Sequence, residues 1–149
     1  MKIYLAADTN DDFTVSAFGF KLEANTPIVT SKHVGWTVVE AYLNGLRSAS
    51  DYIIKHQIEV RTKEFRVITP SAYIFRLINT DFINELKSSN WVDPITNCQV
   101  IHRPLLESIH MHIRYYHERK VKWFAESDVT QKDADRFMEV LNEAKSILI

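Results

Sequence analysis

The hydrophobic pattern of the chain changes period near residue 36, and this change is the strongest constraint on its fold. Before it, residues 2–7, 13–22 and 28–33 are rich in apolar, β-branched and aromatic side chains and are separated by turn-forming residues, which predicts three strands in an antiparallel meander. After it, apolar residues recur with the three-and-four spacing of a helix face, at Val39, Tyr42, Leu43, Leu46, Ala49 and Ile53. The pattern therefore predicts a long amphipathic helix after the meander.

Two further strands and several helices are predicted in the rest of the chain. Residues 63–69 indicate a fourth strand that ends at Pro70, and short helices follow at residues 73–78 and from the cap at residues 79–81 to about residue 87. A helix that begins near Pro104 precedes a fifth strand at residues 121–124.

The last helix is predicted to begin after a capping pair, Thr130 and Asp133. We write the predicted order as βββαβααβα. Crossover helices between strands favour an α/β fold with a five-stranded mixed sheet and helices on both faces.

Composition limits the size and location of the protein. With 149 residues and 46% hydrophobic content, residues 1–149 are expected to form a single domain. The apolar run at the N-terminus is only a few residues long before Asp8, which favours a cytoplasmic protein without a membrane span. Cys98 is the only cysteine, so no internal disulfide is expected.

Charge is distributed unevenly although the net charge is only −1. Residues 103–122 contain five Arg or Lys against two Glu, whereas residues 126–149 contain six acids against three bases. The first segment is therefore the candidate nucleic-acid-binding surface, with Arg114, Arg119, Lys120 and Lys122 as its contacts. A solvated helix face without a ligand explains the same counts.

Several short segments of the chain resemble segments of the ribonuclease H-like superfamily. Asp8, in Ala6-Ala7-Asp8-Thr9-Asn10, is similar to the strand-end aspartate of that family, and Glu40, in Thr37-Val38-Val39-Glu40-Ala41, is similar to its helix glutamate. Asp135 fits the aspartate that opens the last helix. The chain thus resembles ribonuclease H over essentially its whole length.

The resemblance implies a chemistry for these three carboxylates. In the family, two Mg²⁺ ions about 4 Å apart flank the scissile phosphate, one readying a water and the other stabilising the leaving oxygen. Asp8, Glu40 and Asp135 are then the catalytic residues and the metal ligands, with Mn²⁺ as an alternative ion. We expect them to meet at one edge of the sheet.

One ligand of the family's site is missing. Pro70 stands where the family carries a second strand-end aspartate, and no Asp or Glu lies within five residues of it. The resemblance therefore implies a weak site or a single ion, and Pro70→Asp is expected to restore some activity.

Three functions remain open on the sequence. The first is a ribonuclease H-fold protein that binds nucleic acid, either an RNA–DNA hybrid or a duplex, with its nuclease activity lost or weak. The second is an active Mg²⁺-dependent endonuclease that cuts the RNA strand of hybrids. The third is a regulatory module that binds a protein partner. We favour the first because the missing ligand should cost transition-state stabilisation.

Overall fold

The computed structural model describes residues 1–23, 26–56 and 63–149 of the chain. The strands in these ranges are β1 (Lys2–Thr9), β2 (Val15–Leu22), β3 (Val29–Val34), β4 (Glu64–Ile68) and β5 (Lys122–Glu126). The helices are α1 (Val38–Lys55), α2 (Ala72–Asn79), α3 (Phe82–Ser88), α4 (Arg103–His117) and α5 (Gln131–Ser146). Over the same ranges, no helix is long and apolar enough to span a membrane.

The strands form one mixed sheet in the order β3-β2-β1-β4-β5. β1, β2 and β3 pair antiparallel, while β4 pairs parallel with both β1 and β5. The predicted α/β class and five-stranded mixed sheet are confirmed. Three helices lie between β4 and β5, so the predicted order βββαβααβα is one helix short and becomes βββαβαααβα. The sequence pattern nevertheless predicts a helix at each of these three places.

Helices cover both faces of the sheet, as predicted. Ile3, Leu5 and Ala7 of β1 belong to the large core under α1, α2 and α4, whereas Tyr4 and Ala6 belong to a smaller core under α5. This division follows from the alternation of side chains along a strand. α5 packs mainly against β1 and β2, so the β4–β5 side of its face is open.

A glycine allows α1 to lie close to the sheet. A Cβ atom added at Gly45 would lie 2.7 Å from Cδ1 of Leu5 and 3.1 Å from the Phe18 side chain. Because both neighbours are buried, a larger residue would force them apart. Gly45 therefore fixes the distance between α1 and strands β1 and β2.

Candidate functional site

Asp8 lies near the end of β1 and faces α5. Asp8 is two positions after Ala6 and four after Tyr4, so it lies on the same face of β1 as these two residues, whose side chains pack under α5. The Asp8 carboxylate accepts a hydrogen bond from the Thr9 amide at 2.8 Å and lies 4.0 Å from Nζ of Lys145. Since Lys145 is in the last turn of α5, Asp8 lies beside the C-terminal end of that helix.

Asp135 lies far from Asp8 along the same helix. It is exposed and accepts a hydrogen bond from the Gln131 side chain at 2.8 Å. With a rise of about 1.5 Å per residue, the ten positions between Asp135 and Lys145 correspond to about 15 Å. The predicted meeting of Asp135 with Asp8 is therefore wrong.

Glu40 is used to cap α1. Its amide donates to Oγ1 of Thr37 at 3.2 Å, and its carboxylate accepts from the Thr37 amide at 3.3 Å, which is a capping box. α1 packs on the face of the sheet opposite to the one that Asp8 faces. Glu40 is therefore engaged in the cap of α1, and Asp8, Glu40 and Asp135 do not form the predicted cluster within the described residues.

These positions do not fit a two-metal centre. Within the described ranges, no three His, Cys, Asp or Glu side chains are grouped closely enough to hold a metal ion. A catalytic pair of ions about 4 Å apart needs clustered oxygen ligands. The implied Mg²⁺ or Mn²⁺ site of Asp8, Glu40 and Asp135 is therefore not assembled in the described residues.

The uncharged side chains of Thr69, Pro70 and Tyr42 lie where β4 ends. Thr69 is buried directly after β4 and is followed by Pro70. The Tyr42 side chain of α1 reaches this point, beside the Ala7 backbone and the Thr69 side chain; burial raises the pKa of Tyr42, and the Ala7 amide opposes this rise. A phenol that stays protonated at neutral pH offers no anionic ligand here.

Asp133, and not Asp135, is the buried carboxylate of α5. It accepts hydrogen bonds from the Tyr4 hydroxyl at 2.8 Å and from Nζ of Lys2 at 2.9 Å. Burial raises the pKa of Asp133, but the hydrogen bonds from Lys2 and Tyr4 more than offset this, so its pKa lies below the usual value. Asp133 thus ties the start of α5 to β1.

We expect Asp133→Asn to lower the free energy of unfolding at pH 7 by about 2 kcal/mol, because hydrogen bonds to a charged group are lost. A carboxyl whose pKa is depressed by folding stabilises the protein above its unfolded pKa of about 3.9, and that stabilisation is lost as the pH falls through the folded pKa. The difference between wild type and variant should therefore narrow in acid.

Urea unfolding at pH 7 and in acid measures this difference. Asp135→Asn is the matched control, since it makes the same change two positions away on the exposed side and should stay within about 0.5 kcal/mol of wild type. Equal losses in the two variants would contradict the role given to Asp133.

The predicted basic residues lie together along one edge of the molecule. Arg114 is near the end of α4, Arg119 and Lys120 are in the turn that follows, and Lys122 begins β5, the last strand of the sheet. All four side chains are exposed. No ion pair with a carboxylate involves any of them in the part of the chain that the structure describes. We call these four residues the basic edge.

Aromatic rings accompany the basic edge. The guanidinium of Arg119 lies 3.6 Å from the ring centroid of Tyr115, which is 42% exposed. Phe124, 38% exposed, follows Lys122 on the same open face of β5. Exposed cations interleaved with rings are typical of surfaces that contact phosphates and stack on bases.

Solved structures with the same architecture include a viral polymerase and a ribonuclease. The chain matches the prototype foamy virus protease–reverse transcriptase with a TM-score of 0.68 and 15% identity, over 99% of this chain and 20% of that protein. It matches a foamy viral protease–reverse transcriptase in complex with an RNA/DNA hybrid with a TM-score of 0.65 and 12% identity, over 97% of this chain and 19% of that one. The chain thus spans about a fifth of the viral proteins.

Ribonuclease H1 from the archaeon Halobacterium salinarum matches with a TM-score of 0.53 and 13% identity, over 98% of this chain and 97% of that protein. No protein-family model and no curated protein sequence matches the chain. At these identities the likeness concerns the fold. The fold is ribonuclease H-like, as the sequence resemblance predicted.

Proposed function

We propose that this ribonuclease H-like domain binds nucleic acid through its basic edge and does not cleave it. The observation that carries the proposal is a contrast in charge. The carboxylates that the resemblance assigned to metal binding are dispersed, with Glu40 in a capping box and Asp135 exposed on α5. The four cations of the basic edge, by contrast, have no carboxylate partner within the described residues.

An RNA–DNA hybrid or another duplex is the ligand that we propose. Lys and Arg contacts to phosphates supply affinity without reading the sequence, so binding should be largely independent of base order. A foamy viral protease–reverse transcriptase was solved with an RNA/DNA hybrid, which supports the choice of hybrid as the first ligand to test. The dispersed carboxylates among the described residues support binding without cleavage over an active nuclease.

Binding without a divalent ion tests this function. We expect a fluorescently labelled RNA–DNA hybrid to bind at least as tightly in EDTA as in Mg²⁺ at equal ionic strength, because Lys and Arg side chains and not a metal would contact the phosphates, and Mg²⁺ competes for those phosphates. Fluorescence anisotropy measures the affinity. Binding that requires Mg²⁺, or that does not weaken as salt rises, would contradict the proposal.

A further inference from the structure

A groove lies between α1 and the edge strand β3, on the face of the sheet that α1 covers. It has a volume of about 430 Å³, within the range of about 300–1,000 Å³ that is usual for ligand sites. Phe18, Phe20 and Val29 form its floor, and Asn44 and Ser48 of α1 are on its wall. β3 and β5 are opposite edges of the sheet, so this groove is separate from the basic edge.

Aromatic rings in contact with one another run across the groove. The six rings, in order, are those of His33, Trp36, Phe18, Phe20, Tyr52 and His56. The two ends of the series are stacked pairs: His33 lies on Trp36 with centroids 4.7 Å apart, and His56 lies on Tyr52 at 3.9 Å. Both histidines are exposed, so each end presents a flat ring to a ligand.

A guanidinium without a partner lines the same groove. Arg47 lines both this groove and the gap between α1 and α4, and its buried Nε has no hydrogen-bond partner within the described residues. No carboxylate of those residues pairs with its guanidinium. Lys55 adds a second cation. The acid of the groove, Asp51, lies 3.3 Å from Nε2 of His112. A half-buried cation that lacks an acceptor is stabilised by an anionic ligand.

We propose that this groove binds single-stranded nucleic acid, with a base stacked on the exposed rings and a phosphate on Arg47. Every base has a π-face that stacks on aromatic side chains, and the backbone phosphate supplies the anion that Arg47 lacks. Oδ1 of Asn44 adds an acceptor for a base N–H, since the amide nitrogen of Asn44 already donates to the Glu40 carbonyl. A duplex would not suffice, because its base faces are covered by neighbouring bases. The site is independent of the function proposed above.

Tryptophan fluorescence offers a direct measure of this binding. Trp91 and Trp123 are 5% and 8% exposed, whereas Trp36 is half-buried and stacked on the exposed ring of His33, so a base bound at this end of the groove changes the fluorescence of Trp36. We expect a fluorescein-labelled oligothymidylate of about 12 nucleotides to bind and, unlabelled, to quench Trp36. An abasic oligonucleotide of the same length should bind about tenfold more weakly, because it keeps the phosphates and loses the stacking.

Single substitutions separate the ring from the charge. Trp36→Leu and Arg47→Gln should each weaken oligothymidylate binding about tenfold, while Trp36→Phe keeps a ring and most of the affinity. Lys132→Gln is the control for charge, because it removes one exposed cation on α5, across the sheet from the groove. Circular dichroism checks that each variant is folded. If Trp36→Leu does not fold, the affinity of Arg47→Gln alone tests the proposal.

Three results would overturn the proposal. The first is equal affinity for the abasic and the thymidylate strands, or for poly-glutamate, which would show that only charge is read. The second is wild-type affinity in both Arg47→Gln and a folded Trp36→Leu. The third is binding that survives Arg47→Gln but is lost when the basic edge is reversed, which would place the strand at β5.

Discussion

Replacing all four residues of the basic edge, Arg114, Arg119, Lys120 and Lys122, by glutamate should lower the affinity for an RNA–DNA hybrid by about 100-fold or more at low salt. Each phosphate contact contributes a slope of about −0.9 to the dependence of log affinity on log salt. Four contacts therefore predict that wild type loses affinity about 150-fold between about 50 and 200 mM salt.

The fourfold glutamate variant should bind the hybrid weakly, and its log affinity should hardly depend on log salt. Anisotropy titrations of a labelled hybrid over this salt range measure the two together. Lys132→Glu, on the acidic helix α5, is the control for reversing one surface charge and should leave the dependence of log affinity on log salt unchanged. If the fourfold variant binds like wild type, or if binding does not depend on salt, the nucleic-acid interface proposed for α4 and β5 is wrong and a protein partner becomes the better hypothesis.

Asp93→Ala should lower the free energy of unfolding more than Asp133→Asn does, by about 3–5 kcal/mol, because it leaves the largely buried guanidinium of Arg76 without its partner. The carboxylate of Asp93 accepts two hydrogen bonds from the Arg76 guanidinium, at 2.9 and 3.0 Å, and one from the Ile95 amide at 2.9 Å. The Arg76 side chain is 21% exposed, and its guanidinium lies 3.9 Å from the ring centroid of Phe82.

This pair anchors the loop between α3 and α4 to α2. The loop contains three of the five non-glycine residues with positive φ found in the described residues, Asn90, Trp91 and Asn97, so it depends on fixed contacts. The hydrogen bonds from Arg76 lower the pKa of Asp93. As for Asp133, folding lowers the pKa of this carboxyl, so the stabilisation that Asp93 contributes is present above a pH of about 4 and is lost as the pH falls through its folded pKa.

Urea unfolding of Asp93→Ala compared with Glu107→Ala checks this prediction. Glu107 pairs with Arg103 at 2.9 Å, but both side chains are largely exposed, so the control should lose no more than about 1 kcal/mol. A loss of that size in Asp93→Ala as well would show that the Arg76–Asp93 pair contributes no more than a surface pair.

The fold was predictable because the spacing of apolar residues along the chain distinguishes its strands from its helices. Strand alternation, the long helix face of α1 and the boundary at Pro70 each depend on local sequence, and the structure confirms them. The predicted order counted two helices between β4 and β5 where the structure has three, although the sequence pattern indicated all three segments. Which face of β1 Asp8 occupies was not predictable, since residues on both faces of that strand are buried.

Two of the three carboxylates were misplaced although the sequence held the relevant signals. Thr37 and Glu40 have the spacing of a capping box, which assigns Glu40 to the end of α1. In α5, Asp133 shares the spacing of Val140 and Ala144 on the inward face, whereas Asp135 is turned by about 200°. The phase of α5 thus places Asp133, and not Asp135, against β1.

Incubation of a labelled RNA–DNA hybrid with the protein, followed on a denaturing gel, tests the central claim most directly. Since Asp8, Glu40 and Asp135 are not gathered into one cluster within the described residues, we expect that Pro70→Asp alone will not restore cleavage, contrary to the expectation from sequence. Wild type, Pro70→Asp and Asp8→Asn should all leave the RNA strand intact in Mg²⁺ and in Mn²⁺, at protein concentrations that bind all of the hybrid. Cleavage by wild type that is lost in Asp8→Asn would contradict the account and show a working nuclease.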